Sequence, residues 1–168
     1  MSDLLFLPAP PRGQSGLRWI VVLSVVLVAA SALFPVPELS SVRFLGVGLA
    51  LWLSALAWFA PRRLRYTLQD DALLIQTLFS VTRLPTRHIS AWRTRGGLGL
   101  KVGGTGLAGY YTGYYTFNAD EIKTVMAASS NTSDGVIVQA EGKAYFLTPA
   151  DPDAFLEELA RRGARVRP

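Results

Sequence analysis

Cysteine is absent from the 168 residues, and His88 is the lone histidine. Without cysteine there is no disulfide, no thiolate metal site and no thiol chemistry. One histidine cannot by itself anchor an ordinary zinc site, so His88 reads as a structural or exposed side chain. Carboxylates are scarce where membrane catalysis would need them. The first 60 residues hold only Asp3 and Glu38, and the apolar runs contain no acid pair for proton transfer. The chain is therefore read as non-enzymatic, with no catalytic, metal-binding or cofactor-binding residue. The net charge of +5 is basic but not extreme. Anionic lipid headgroups account for it as well as nucleic acid would, and no nucleic-acid partner is expected.

What the chain does have is apolar length. Trp19–Pro37 and Phe44–Ala60 are two hydrophobic runs, connected through Pro35-Val36-Pro37-Glu38-Leu39-Ser40-Ser41 with Arg43 at the edge of that loop, and followed by Pro61-Arg62-Arg63-Leu64-Arg65. Each is close to the roughly 20 residues that cross a hydrocarbon core. Trp19 and Trp58 stand where interfacial aromatics belong. The expectation is a two-helix transmembrane hairpin over residues 17–61. Small residues (Ser24, Ser31, Gly46, Gly48, Ser54) allow the two helices to approach closely. Residues 1–16, with Pro8, Pro10, Pro11, Gly13 and Gly16, read as a disordered tail. Arg12 and Arg18 precede the hairpin, and Arg62, Arg63 and Arg65 follow it. Both termini are thus expected in the cytoplasm, at the inner membrane. A cleaved signal peptide ending near Ala30-Ser31-Ala32 is the competing reading of the first run. It leaves the C-terminal part on the same side.

From residue 62 onward the period shortens. Tyr66–Gln69, Ala72–Thr77, Val81–Leu84, Ile89–Arg95, Tyr114–Asn118, Ile122–Ala127, Gly135–Ala140 and Lys143–Leu147 read as short strands separated by turns. Gly96–Gly113 reads as an irregular glycine-rich passage. A helix follows, capped by Thr148 or Asp151, with Pro149 or Pro152 in its first turn. Phe155, Leu156 and Leu159 share one face of it. The expected fold is a bent antiparallel sheet or small barrel of about seven strands, plugged by that C-terminal helix.

Gly104-Thr105-Gly106-Leu107-Ala108-Gly109 matches G-x-G-x-x-G literally. A dinucleotide site needs a helix directly after it. Here Tyr110-Tyr111-Thr112-Gly113-Tyr114-Tyr115 follows, which is strand-forming. The glycines are instead read as backbone devices at a bend. In a strand, alternate tyrosines face opposite sides. The candidate partner surface is Gly106, Gly109, Tyr110, Tyr111, Tyr114 and Tyr115, with about half of the tyrosines expected in the core. Arg62, Arg63 and Arg65 are the candidate headgroup contacts, with Arg83, Arg87, Arg93 and Arg95 adding to a basic face.

The segment Leu64–Arg162 resembles bacterial pleckstrin-homology (PH) domains of small membrane proteins. The resemblance is carried by Tyr66-Thr67-Leu68, Asp71-Ala72-Leu73-Leu74-Ile75, Arg83-Leu84-Pro85, Gly103–Gly113 and Tyr145–Phe155. It implies the PH superfold and a two-helix hairpin before the domain, but no particular ligand. The basic pair usual in the first hairpin loop of eukaryotic members is Asp70-Asp71 here. The expected function is a membrane-anchored scaffold that docks a protein partner or a second copy. The alternative is a lipid or small-ligand sensor using the Gly/Tyr loop and adjacent arginines.

Overall fold

The computed structural model describes residues 3–12, 22–24, 26, 40–107, 109–119 and 121–167. Residues 22–24 and 26 are helical, and α1 covers Ser40–Arg63. The Ser54 hydroxyl donates to the Ala50 carbonyl and shares a hydrogen bond with the Ser24 hydroxyl, each at 2.8 Å. This is one close approach that the small residues were expected to permit. Among the described residues no helix is long and apolar enough to cross a membrane. The transmembrane hairpin expected at 17–61 is therefore not shown, and most of its first run, with the expected Ser31 contact, lies outside the described residues. The C-terminal end of α1 is not a loose linker. Ala60 and Leu64 are both buried in the main core.

The tail reading of residues 1–16 is corrected for residues 3–12. Leu4–Phe6 forms β1, antiparallel to β2, Arg65–Leu68, with Leu4 opposite Leu68 and Phe6 opposite Tyr66. The chain then runs on as an extended strap. Ala9 N–H donates to the Thr148 carbonyl at 2.7 Å, and Ala150 N–H to the Leu7 carbonyl at 2.9 Å. Arg12 N–H donates to Asn131 Oδ1 at 2.6 Å. Proline removes donors, but the residues between the prolines still find partners.

β2 pairs with β3, Ala72–Gln76, and β3 with β4, Val81–Pro85, giving a four-stranded sheet in the order β1-β2-β3-β4. A 3-10 turn at Thr86–His88 leads to β5, Ser90–Leu107. Gly96–Leu107, expected as irregular, thus continues one long strand. Register shifts between Leu98, Lys101 and Gly103 accommodate it, as bulges do. β6 is Tyr110–Phe117, β7 Thr124–Ser129, β8 Ser133–Ala140 and β9 Lys143–Leu147. β9 lies between β7, to which it is parallel, and β8. Since β8 also pairs with β5, strands β5, β6, β7, β9 and β8 close a ring.

Two cores follow from the alternation of side chains along the ring strands. Val136, Val138 and Leu147 join Tyr66, Leu68, Leu73, Ile75, Phe155 and Leu159 in the larger one. Ile137, Phe146, Val125, Ala127, Tyr115 and Phe117 form the other. α2, Pro152–Arg161, is the expected capping helix. Asp151 Oδ1 accepts from Ala154 N–H at 2.9 Å, satisfying one open donor of the first turn. Its Phe155 meets Phe6 edge-on at 5.2 Å and Tyr66 at 6.1 Å. The buried Tyr66 hydroxyl donates to the Ala128 carbonyl at 2.6 Å and accepts from Thr148 N–H at 3.3 Å. Burial pushes this phenol well above its ordinary range, against the opposing pull of the Thr148 bond. A last strand, β10, Arg165–Val166, runs parallel to the start of β5.

Candidate functional site

The glycines of the long hairpin create its most irregular feature. Gly104 (φ 119°) and Gly113 (φ 107°) face each other across β5 and β6. A Cβ on Gly104 would overlap the Thr112 carbonyl oxygen, and one on Gly113 would meet Gly104 Cα at 2.6 Å. Both the dihedrals and the close approach require glycine. The G-x-G-x-x-G reading as a backbone bend is what the strands show; no helix follows it.

A cavity of about 250 Å³ opens beside this bend. One wall is Gly104, Thr105, Thr112 and Gly113. The other is the β3–β4 turn, with Thr77, Phe79 and Ser80, and Met126, Ala128 and Tyr145 also line it. Its lining includes hydroxyls and apolar groups but no charged side chain. It therefore offers nothing to neutralise a phosphate and suits an uncharged or apolar group. Among the described residues no group of three or more His, Asp or Glu could hold a metal ion.

The candidate tyrosines separate. Tyr110 is 1 % exposed, and its hydroxyl accepts from Leu78 N–H at 2.8 Å. Tyr115 is 4 % exposed and donates to the Thr105 carbonyl at 3.0 Å. Burial, with Tyr111 nearby, raises the Tyr115 phenol above its ordinary pKa. These two are core and leave the candidate surface. Tyr111 is half-buried against the smaller core, and Tyr114 is exposed. Gly106 is exposed, whereas Gly109 is buried against Pro11 of the strap. What remains for a partner is Gly106, Tyr111 and Tyr114. Leu100 and Val102 of β5 are exposed by 80 % and 67 %, and the sequence reading did not single them out. Apolar residues in a strand with one strand partner were the available signal.

Arg62, Arg63 and Arg65 are exposed, and the Arg62 guanidinium lies 4.2 Å above the Trp58 ring. Arg83 instead pairs with Asp71 at 3.1 Å and Arg93 with Asp153 at 2.8 Å. Those two arginines have anionic partners of their own. Asp70, the other acid of the β2–β3 turn, lies 3.6 Å from Arg162.

A bent all-β domain closed by one capping helix, with a neutral cavity beside its glycine bend, is the architecture found here. The family model described as a bacterial PH domain matches residues 64–163, most of the chain, and the protein belongs to that family. Comparison with curated proteins and with solved structures found no match.

Proposed function

We propose that this protein is a non-enzymatic PH-like binding module anchored in the inner membrane, both termini cytoplasmic, docking a protein partner or a second copy. The observation that carries the anchoring is the pairing of β1 with β2. These strands bracket the whole apolar stretch, yet they belong to one sheet. Any crossing of a bilayer between them must be undone before β2 begins, which favours a hairpin over a single span. Large apolar residues exposed on more than one face of α1, among them Leu49, Leu51, Trp52 and Phe59, fit a lipid environment. Arg62 over Trp58 fits its interfacial end. For docking, the support lies in the second half of β5, where Leu98–Leu107 pairs only with β6 among the described strands. Such an edge, with Leu100 and Val102 exposed, is suited to strand addition.

The absence of cysteine makes the test clean. Asp3→Cys and Arg167→Cys are expected to stay unlabelled by a membrane-impermeant maleimide in intact cells and to label once the cells are opened. Labelling of either in intact cells would refute the topology. The sensor reading keeps one specific support, the uncharged cavity beside Gly104 and Gly113.

A further inference from the structure

The four-stranded sheet has two unlike ends. At one end the β2–β3 turn carries Asp70 and Asp71. At the other, α1 runs through Arg62 and Arg63 directly into Arg65, the first residue of β2. Register places Arg65 opposite Gln76, and Gln76 opposite Val81. Residues directly opposite in antiparallel strands share a face, so Arg65 and Val81 stand on one face, two strands apart. The β3–β4 turn is thus at the end of the sheet that receives α1.

That turn is built to present an aromatic ring. Thr77 N–H donates to the Ser80 carbonyl at 2.8 Å, and Ser80 N–H to Thr77 Oγ1 at 3.1 Å. Leu78 N–H is held by the Tyr110 hydroxyl at 2.8 Å, and its side chain packs on the main core. Between these anchors Phe79, which also edges the cavity, is 75 % exposed, and Val81, two residues on, is 64 % exposed. An aromatic and a valine held out to solvent from a pinned turn, beside three exposed arginines, match the chemistry of an anionic membrane surface. Asp70 and Asp71 lie at the far end, where they do not oppose it.

We infer that the β3–β4 turn is a second membrane contact. Phe79 and Val81 enter the headgroup–acyl boundary of the bilayer that receives α1, while Arg62, Arg63 and Arg65 hold anionic headgroups. The inference rests on the anchoring proposed above. The contact fixes the tilt of the domain and turns the acidic β2–β3 turn away from the lipid.

The test uses the full chain in nanodiscs of phosphatidylcholine with or without phosphatidylglycerol, at physiological salt. Val81→Cys carries an environment-sensitive fluorophore, and Asp71→Cys carries the same label as a control. In phosphatidylglycerol discs the Val81 label is expected to shift to the blue and to be quenched by bromine-bearing lipid, and the Asp71 label to do neither. Phe79→Asp in the Val81→Cys background is expected to restore the aqueous emission. Aqueous emission at Val81 from chain that co-elutes with discs overturns this contact alone. A blue shift that brominated lipid does not quench points to a protein contact and also overturns it. Chain that fails to co-elute with discs overturns the anchoring, and this inference with it.

Discussion

The two halves of β5 are made of similar lengths of one strand and meet opposite fates. Ser90–Gly97 lies against β8, and its start also against β10, with Ala91 buried completely and Thr94 nearly so. Leu98–Leu107 pairs with β6 alone and leaves Leu100 and Val102 open to solvent. The first half is held by β8 along its length and by β10 at its start. The second is shaped by glycines that bend it around a cavity. One strand thus serves as a wall of the core and, past its bulges, as an available edge.

The largest effect is expected opposite the first half. Ile137 pairs with Trp92 and is fully buried. Ile137→Ala is expected to lower unfolding free energy by about 2–5 kcal/mol, measured by denaturant titration of the detergent-solubilised chain. Next comes the bend. Gly104→Ala forces a side chain into a positive-φ site against the Thr112 carbonyl, and a loss of about 1–3 kcal/mol is expected from strain of that kind. If Gly104→Ala is as stable as the native chain, the bend is soft, and the contrast between the halves weakens.

A smaller effect is expected from Tyr115→Phe, which removes the hydroxyl that β6 extends to Thr105. About 1 kcal/mol is expected at neutral pH. Its pH dependence is diagnostic. A phenol raised by burial holds its proton more tightly folded than unfolded. Its share of stability is complete below the ordinary pKa of about 10 and is lost as pH climbs through the folded value. Alkaline melting curves of Tyr115→Phe should therefore fall less steeply above about pH 10 than those of the native chain. Smallest is Leu100→Ser, expected to stay within about 0.5 kcal/mol because the site is exposed. A large drop in Tm would show that the second half of β5 is buried against something in the working protein.

Much of the domain was legible in the chain. The strands at Ala72, Val81, Gly135 and Lys143, and the helix after Asp151, follow from short alternating runs and a cap. The passage Gly96–Gly113 was not, because glycine carries no side chain to alternate, and its pairing depends on β6. Residues 3–12 were also missed. Their prolines signalled a tail, but Leu4-Leu5-Phe6 is an apolar triplet whose partner lies beyond the apolar stretch, out of reach of any local pattern. Among the tyrosines the two-fold period indicated that about half are core. It did not say that Tyr110 holds Leu78 or that Tyr115 reaches Thr105. Phe79 falls in the turn between the strands at Ala72 and Val81, and an apolar ring at a turn is itself a signal.

The pairing of β1 with β2 also sets an order of events during synthesis. Leu4–Phe6 is made first and has no strand to join until everything between Arg12 and Arg65 has been made. β2, β3 and the rest of the sheet appear only after that stretch has been handed to whatever environment receives it. The domain therefore cannot close early. A chain in which β1 fails to reach β2 keeps Leu4, Leu5 and Phe6 unmatched and leaves Phe155 without its edge-on partner. Leu4 and Leu5 stay partly exposed even in the folded chain, so what marks a chain with β1 unpaired is the open edge of β2 and the uncovered Phe155 ring, surfaces that proteases and chaperones can read.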